Sequence, residues 1–423
     1  MGFRPRPYTD GESGGRGTNV ALVSLVVQKY GGSSVKDVER IKAVAQRVAA
    51  RQDAGNRMVV VVSAMGDTTD ELIDLAKQIA PRPEAREMDM LLSTGELISS
   101  ALVTMALHEL GHKAVALSGP QAGIMTDATF SKAKISAIDP SRLERELDAG
   151  KIVIVAGFQG LTDDQDVATL GRGGSDTTAV ALAARMRADA CEILTDVDGV
   201  YTADPRIVPE ARKLDTISLE EMLEMAQMGA KVMHPRAVEL GQIYDMPITV
   251  RSSYVDREGT IIGVENLNKV TGIAHDSDVA KITVVGVPDR PGVAHRLFAP
   301  LATAAINVDT IVQNVSHEGK TDISFTINTT DLPSTQKFVE AVSRDLGAER
   351  VIANPDMAKV SIVGTGIQNH PGYAARMFGA MSDAGVNIDM ISTSEIRITV
   401  LIERDRVSDA VRALHKTFEL DKA

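Results

Sequence analysis

The chain has 423 residues, 44% of them apolar, a net charge of −12 and a pI of about 5.2. That length suits two or three domains with real cores, and the acidity speaks against a nucleic-acid partner or an anionic membrane surface. The single cysteine, Cys191, excludes an intrachain disulfide framework and, beside an apolar strand, reads as a core residue.

Residues 1–20 carry Pro, Gly, Arg and Ser without an apolar segment. They read as a disordered extension and not as a secretory signal. No apolar run reaches the ~18 residues of a bilayer helix, so a cytoplasmic protein is expected. An apolar strand over 20–27 runs into Lys29-Tyr30-Gly31-Gly32-Ser33-Ser34. The apolar stripe Val38, Ile41, Val44, Ala45 and Val48 predicts a helix over 38–52. Met58 to Val62 is an uninterrupted apolar run, as in a strand buried on both faces. It delivers Ser63-Ala64-Met65-Gly66 at its end. Helices are expected over 71–80 and 88–110, the second interrupted around Thr94-Gly95-Glu96. Strands follow over 113–117 and 151–156, with a short helix at 141–149 between them. This alternation calls for a mostly parallel sheet with helices on both faces.

Arg172-Gly173-Gly174-Ser175-Asp176 is a glycine-rich turn before a dense Ala/Leu helix over 177–187, which Ser175 or Asp176 could cap. Glu192-Ile193-Leu194 reads as a buried strand ending in Thr195-Asp196, and Tyr201 to Arg206 as a polar loop. A helix over 219–228 precedes Ala230-Lys231-Val232-Met233-His234-Pro235, and 247–250 is the last strand expected in the large domain. Glycine turns beside Lys29 and Arg172, placed where strands stop, suit a ligand bearing several negative charges.

From Ala280 the sequence repeats itself. Asp289-Arg290-Pro291-Gly292 is echoed by Asn369-His370-Pro371-Gly372, and Asn307-Val308-Asp309 by Asn387-Ile388-Asp389. The intervals Pro291 to Pro371 and Asn307 to Asn387 are equal. Each unit reads as a βαββαβ module.

The motifs KYGGSSV, VVVVSAMGDTTDEL, STGE, AGFQG, TLGRGGSDTTA, TDVDGVYTADPR and GAKVMHP, in this order, resemble the amino-acid kinase family in its aspartokinase branch. The repeat resembles a pair of ACT regulatory domains. The resemblance implies an α/β fold in which helices sandwich a mostly parallel sheet, the amino-acid kinase fold, plus two ferredoxin-like βαββαβ ACT modules. The expected division is an extension at 1–20, a catalytic domain at 21–262, a linker at 263–279 and modules at 280–353 and 354–423.

It further implies phosphoryl transfer from ATP to the side-chain carboxylate of L-aspartate. The nucleophile is already an anion, so the task is positioning and charge neutralisation. The expected catalytic residues are Lys29, reaching the phosphates, and Asp176. Expected at the substrate are Ser63, Thr69, Glu96 (for the α-amino group), Arg172 (for a carboxylate), Gly173, Gly174 and Ser175. Thr69 could alternatively serve only to start a helix. Expected at ATP are Lys29, Tyr30, Gly31, Gly32, Ser33, Thr195, Asp196, Tyr201, Asp204, Arg206 and Lys231. His234 reads as a structural turn residue. Mg²⁺ is expected to arrive with ATP, with no metal ligands from the protein. The modules are expected to bind L-threonine and/or L-lysine through Asp289, Gly292, Asn307, Asp309, Gln313, Asn387, Ile388, Ser394 and Glu395. They are also expected to pair in a homodimer or larger assembly, with a separately made regulatory subunit as a further option. Three other readings stay open: a kinase of glutamate or acetylglutamate, a sensor that has kept a kinase fold without catalysis, and modules that only dimerise.

Overall fold

The structure is a computed structural model that describes residues 24–264, 270–304, 306–314, 318–365, 367 and 372–422. The extension expected at 1–20 and the Asn369-His370-Pro371 echo lie outside the described residues. The chain divides into two compact units: 1–200 with 213–223 and 231–266, and 201–212 with 224–230 and 267–423.

In the first unit the elements run β1 (Leu25–Tyr30), α1 (Val38–Asp53), β2 (Arg57–Val62), α2 (Thr68–Ile79), α3 (Ala85–Glu109), β3 (Ala114–Leu117), β4 (Ile124–Thr126), β5 (Ile135–Ile138), α4 (Ser141–Asp148), β6 (Ile152–Ala156), β7 (Gln159–Leu161), β8 (Val167–Thr169), α5 (Gly174–Met186), β9 (Ala190–Thr195), β10 (Thr216–Ile217), α6 (Leu219–Gln227, continuing into the second unit), α7 (Pro235–Tyr244), β11 (Ile248–Ser252) and β12 (Thr260–Ile262). The main sheet has the order β10-β12-β11-β9-β1-β2-β6-β3. β1 lies at its centre, parallel to β2 and β9. Met58 to Val62 of β2 and Ile152 to Ala156 of β6 are fully buried, as their unbroken apolar runs require.

Several boundaries differ from expectation. β1 runs on through Lys29 and Tyr30, because both pair on either side with β2 and β9. α3 is uninterrupted: Gly95, expected to break it, lets the helix approach the end of β2, and a Cβ there would lie 2.8 Å from the Cβ of Ala64. α5 starts at Gly174 with Gly173 as its N-cap, so Ser175 and Asp176 lie in the first turn and do not cap it. β11 is followed by one more strand, β12, antiparallel to it. The smaller sheet β5-β4-β7-β8 was not foreseen, since its strands are too short to show a period.

The second unit holds β13 (Gly272–Pro288), α8 (Val293–Thr303), β14 (Ile311–Gln313), β15 (Lys320–Ile327), α9 (Leu332–Leu346), β16 (Arg350–Val363), α10 (Tyr373–Asp383), β17 (Met390–Ser394), β18 (Arg397–Glu403) and α11 (Val407–Thr417). The strands form one antiparallel sheet, β14-β15-β13-β16-β18-β17. The expected linker at 263–279 is therefore strand from Gly272 onward. Gly272 to Asp276 pair with Val363 to Lys359, which makes them the fourth strand of the second module. The first module sits between that strand and the rest of the second.

Residues 201–212, expected in the catalytic domain, group with the second unit. The loop looks polar in sequence, yet Ala203 and Val208 are buried in the second module's core, with Ile207 and Ala211 packed against it. Thr202 Oγ1 is 3.0 Å from His415 Nε2 of α11. The first module has its own core around Phe325, Leu297 and Val339.

Candidate active site

The carboxyl ends of β1, β2, β6 and β9 come together in the first unit. Backbone hydrogen bonds tie their loops: Ser63 N donates to Tyr30 O at 3.1 Å, Gly66 N to Gly32 O at 3.1 Å, Gly157 N to Val62 O at 3.1 Å and Gly31 N to Leu194 O at 3.3 Å. Open α/β sheets bind ligands in the crevice beyond such ends.

Lys29 reaches across from β1 to Asp176 in the first turn of α5, with Nζ 2.6 Å from Oδ1. The two side chains are only 12% and 11% exposed. The first turn of α5 also offers backbone N–H groups and the positive end of a helix dipole. Gly173 makes the turn left-handed, at φ 68°, and a Cβ there would meet the His234 ring at 2.1 Å. His234 Nδ1 accepts from Arg236 N at 3.3 Å and caps α7. Burial, and then Arg236, push its pKa below the ordinary imidazole value. His234 is therefore a neutral turn residue that packs on the glycine loop. Arg172, beside it, is exposed.

Glu96 lies on the buried face of α3 and is 4% exposed. Its Oε1 accepts from Ala64 N at 3.1 Å, while Oε2 is buried without a partner. Burial pushes its pKa up to about 7, with the Ala64 N–H opposing. One helical turn further on, Ser99 Oγ donates to Ser63 O at 2.7 Å and fixes the same loop. Thr69 is half-buried in the first turn of α2, whose N-cap is Asp67. Thr195 Oγ1 donates to Asp196 Oδ1 at 3.0 Å at the end of β9. Lys231 is exposed ahead of His234. Among the described residues no group of three or more His, Cys, Asp or Glu could hold a metal.

Tyr201, Asp204 and Arg206 belong to the second unit. Asp204 and Arg206 pair with each other at 2.7 Å, and that bond holds the Asp204 carboxyl below its usual range.

The second unit contains a reciprocal exchange. Lys281, on the first strand of the first module, pairs with Asp389 of the second at 2.6 Å. Lys359, on the first strand of the second module, pairs with Asp309 of the first. These are the aspartates of the two Asn-x-Asp motifs. Asp289, Gly292, Asn307, Gln313, Asn387 and Glu395 are exposed and Ile388 is half-buried. Ser394 Oγ donates to Glu224 Oε1 at 3.2 Å. Beside Gln313 a polar hollow of about 420 Å³ opens, lined by Asn314, Glu318, Asp322 and Glu349 among others.

Residues 24–252 match the amino acid kinase family, and residues 281–347 and 360–418 each match an ACT domain. The aspartokinase of Mycolicibacterium smegmatis is 54% identical over 407 residues, covering 94% of this chain and 97% of that protein. The chain belongs to the amino acid kinase family, in its aspartokinase branch. The aspartate kinase of Stutzerimonas stutzeri is 48% identical, over 94% of this chain and 98% of its own. Among solved structures, aspartokinase III of E. coli in complex with aspartate and ADP, in its R-state, gives a TM-score of 0.80 at 28% identity, over 93% of this chain and 99% of that one. The same enzyme with lysine and aspartate, in its T-state, gives 0.72 at 27%. This aspartokinase is thus an ATP-dependent kinase acting on aspartate, with the mostly parallel catalytic sheet and paired ACT domains of its relatives. The glycine turns and Lys29 are legible in its sequence; the Lys281 and Lys359 pairs were missed. The repeated Ala-Lys at Ala280-Lys281 and Ala358-Lys359 is the signal that could have found them.

Proposed function

We propose that this aspartokinase transfers the γ-phosphoryl group of ATP to the side-chain carboxylate of L-aspartate, giving 4-phospho-L-aspartate and ADP. The product would feed lysine, threonine and methionine synthesis in the cytoplasm. The nucleophile is an anion, so no proton need be removed. The observation that carries the reading is Lys29, held beside Asp176 at the carboxyl end of β1 and at the N-terminal turn of α5. There a point cation can follow charge from the γ-phosphate to the leaving β-phosphate. Asp176 orients it until the phosphates arrive. Gly31, Gly32 and Ser33 line the phosphate side, whereas the Tyr30 side chain, expected there, is fully buried in the core and donates to Gln28 Oε1 at 3.1 Å. Thr195, Asp196 and Lys231 contact the rest of the nucleotide.

On the substrate, the unpartnered oxygen of Glu96 takes the α-ammonium group, and the exposed Arg172 fork takes a carboxylate. Ser63, Thr69, Gly173, Gly174 and Ser175 complete that side. Mg²⁺ enters with ATP and keeps most of its waters. The ACT modules pair within a homodimer or larger assembly and bind L-threonine and/or L-lysine through Asp289, the Asn-x-Asp motifs and the strands that follow. A separately made regulatory subunit is compatible with this arrangement.

Trapping the acyl phosphate with hydroxylamine, with ATP and aspartate, glutamate or acetylglutamate in parallel, tests the reaction. Product from aspartate alone is expected. Product from another acid at a comparable rate overturns the substrate, and no product from any of the three overturns the reaction.

A further inference from the structure

Asp89 is fully buried on α3, and no role is assigned to it above. Its carboxylate accepts four hydrogen bonds from two segments far apart in sequence. Ser131 contributes its N–H at 2.8 Å and its hydroxyl at 3.2 Å. Thr169 contributes its N–H at 2.7 Å and its hydroxyl at 2.9 Å. The four donors use the acceptor capacity of an ionised carboxylate.

Both partners lead to the Arg172 turn. Thr169 ends β8, and the chain then passes through Leu170 and Gly171 to Arg172. Ser131 has a left-handed backbone, φ 67°, a conformation a non-glycine residue needs outside help to hold. Its carbonyl packs against Gly171, where a Cβ would lie 2.8 Å away. Thr169 O in turn accepts from Ala133 N at 2.9 Å. The approach to the turn is therefore clamped from two sides, and both clamps end on one carboxylate.

Asp89 and Glu96 are seven residues apart on one continuous helix and are both on its buried face. Two turns of α-helix put them on the same side, about 10 Å apart along the axis. One end of this rigid spacer carries the anion facing the substrate ammonium; the other anchors the loop that carries Arg172. We propose that Asp89 is a positioning residue that sets the distance between Glu96 and Arg172, and so the length of amino diacid the enzyme accepts. This rests on the roles of Glu96 and Arg172 in the function proposed above. Asp89 touches no substrate; it acts through Thr169 and Ser131.

Asp89→Asn removes the charge and, with its oxygen kept on the two N–H groups, turns the acceptor of the two hydroxyls into a donor. Thr169→Val removes a single hydroxyl and keeps the shape, and Thr169→Ser restores the hydroxyl; Thr169 is 1% exposed and cannot meet substrate itself. Steady-state kinetics with aspartate, glutamate and ATP, alongside melting temperatures, read the result. Thr169→Val is expected to raise the aspartate KM about 3- to 10-fold, the scale of one lost hydrogen bond. Asp89→Asn is expected to raise it more than about 10-fold. The ATP KM should stay within twofold, the preference for aspartate over glutamate should fall, and Thr169→Ser should return to wild type. An unchanged aspartate KM in Thr169→Val overturns the proposal, as does a rise in both KM values together. Glu96→Gln and Arg172→Ala run beside them: if neither raises the aspartate KM, the underlying site reading has failed, whatever Thr169→Val does.

Discussion

One carboxylate site in each unit shows an opposite way of holding charge. In the first, Glu96 is buried with one oxygen unpartnered and a pKa raised to about 7. In the second, the Asn-x-Asp aspartates are already compensated, each by a lysine from the other module. A charge without a partner destabilises the free protein and is relieved when a ligand binds. A charge that already has a partner stabilises the resting state and must be released before it can serve another cation. At Glu96 the free protein therefore gives up stability, which the ammonium group proposed to bind there would restore. In the regulatory half, each of these aspartates already holds an ammonium group from the other module.

Removing the catalytic cation is the strongest way to break the comparison. Lys29→Ala should lower kcat about 10³-fold or more, the scale of lost transition-state cations in phosphoryl transfer. The aspartate KM should change little if Lys29 faces phosphate, as proposed. It also strips Asp176 of its cation, so the melting temperature should fall. Stopped-time hydroxylamine assays and calorimetry measure both, and more than a tenth of wild-type activity would contradict the role of Lys29.

Next comes Glu96→Gln, which should weaken aspartate binding by ~1–3 kcal/mol and leave ATP binding intact. Its effect on stability has the opposite sign. A carboxyl whose folded pKa is raised is costly above that pKa, and the cost disappears as pH falls toward the unfolded value. The rise to about 7 corresponds to roughly 3 kcal/mol at most. Ligand-free Glu96→Gln should therefore melt above wild type at pH 8, with the gain fading between pH 7 and 4.5. In the wild type the aspartate KM should climb as pH drops through about 7, where Glu96 loses its charge. A flat KM across that range would show that Glu96 does not meet the ammonium.

Asp289→Ala tests whether the exposed loop after β13 reads an effector. Inhibition by threonine or lysine should be lost, equivalent to ~1–3 kcal/mol of coupling, with uninhibited kcat near wild type. Calorimetric titration of both amino acids, with and without aspartate, measures it. Reciprocity requires aspartate to weaken effector binding by the factor the effector weakens aspartate.

The smallest effect is in the exchanged pairs. Lys281→Met and Asp389→Asn, singly and together, should give a coupling energy of about 1 kcal/mol, since the aspartate is partly exposed and screened. The Lys359 and Asp309 pair should couple by a similar amount, because its lysine is only 6% exposed but its aspartate is 54% exposed. A value well above that of the first pair would mean that burial of the lysine alone sets the strength.

Much of this molecule was legible in its residues. The unbroken runs at Met58 to Val62 and Ile152 to Ala156 could only be strands covered on both faces. The glycines beside Lys29 and Arg172 marked where the backbone turns, with Gly173 left-handed at φ 68°. The Asn-x-Asp echo disclosed the duplication. What stayed hidden depends on partners distant in sequence. Gly95 looks like a helix breaker until Ala64 is seen packed against it. Asp89 is one acid among many until four donors converge on it. Tyr201 to Arg206 looks like a polar loop, and only the core containing Ala203 shows that the second unit claims it.

The interleaving of the ACT modules has a consequence for the order of synthesis. Gly272 to Asp276 leave the ribosome before the whole of the first module, yet their strand partners, Lys359 to Val363, come after it. The first module is contiguous and can fold as it emerges, because β14, β15 and the parts of β13 and β16 that pair with each other, Lys281 to Val285 with Asn354 to Arg350, are all made by residue 354. The second must wait with a lone strand showing unpaired N–H and C=O groups, an edge prone to wrong pairing. At roughly 5–20 residues per second, the wait until β18 is made lasts on the order of ten seconds. Val279, which pairs with Met357 in the finished sheet, finds that partner only after the first module has been made.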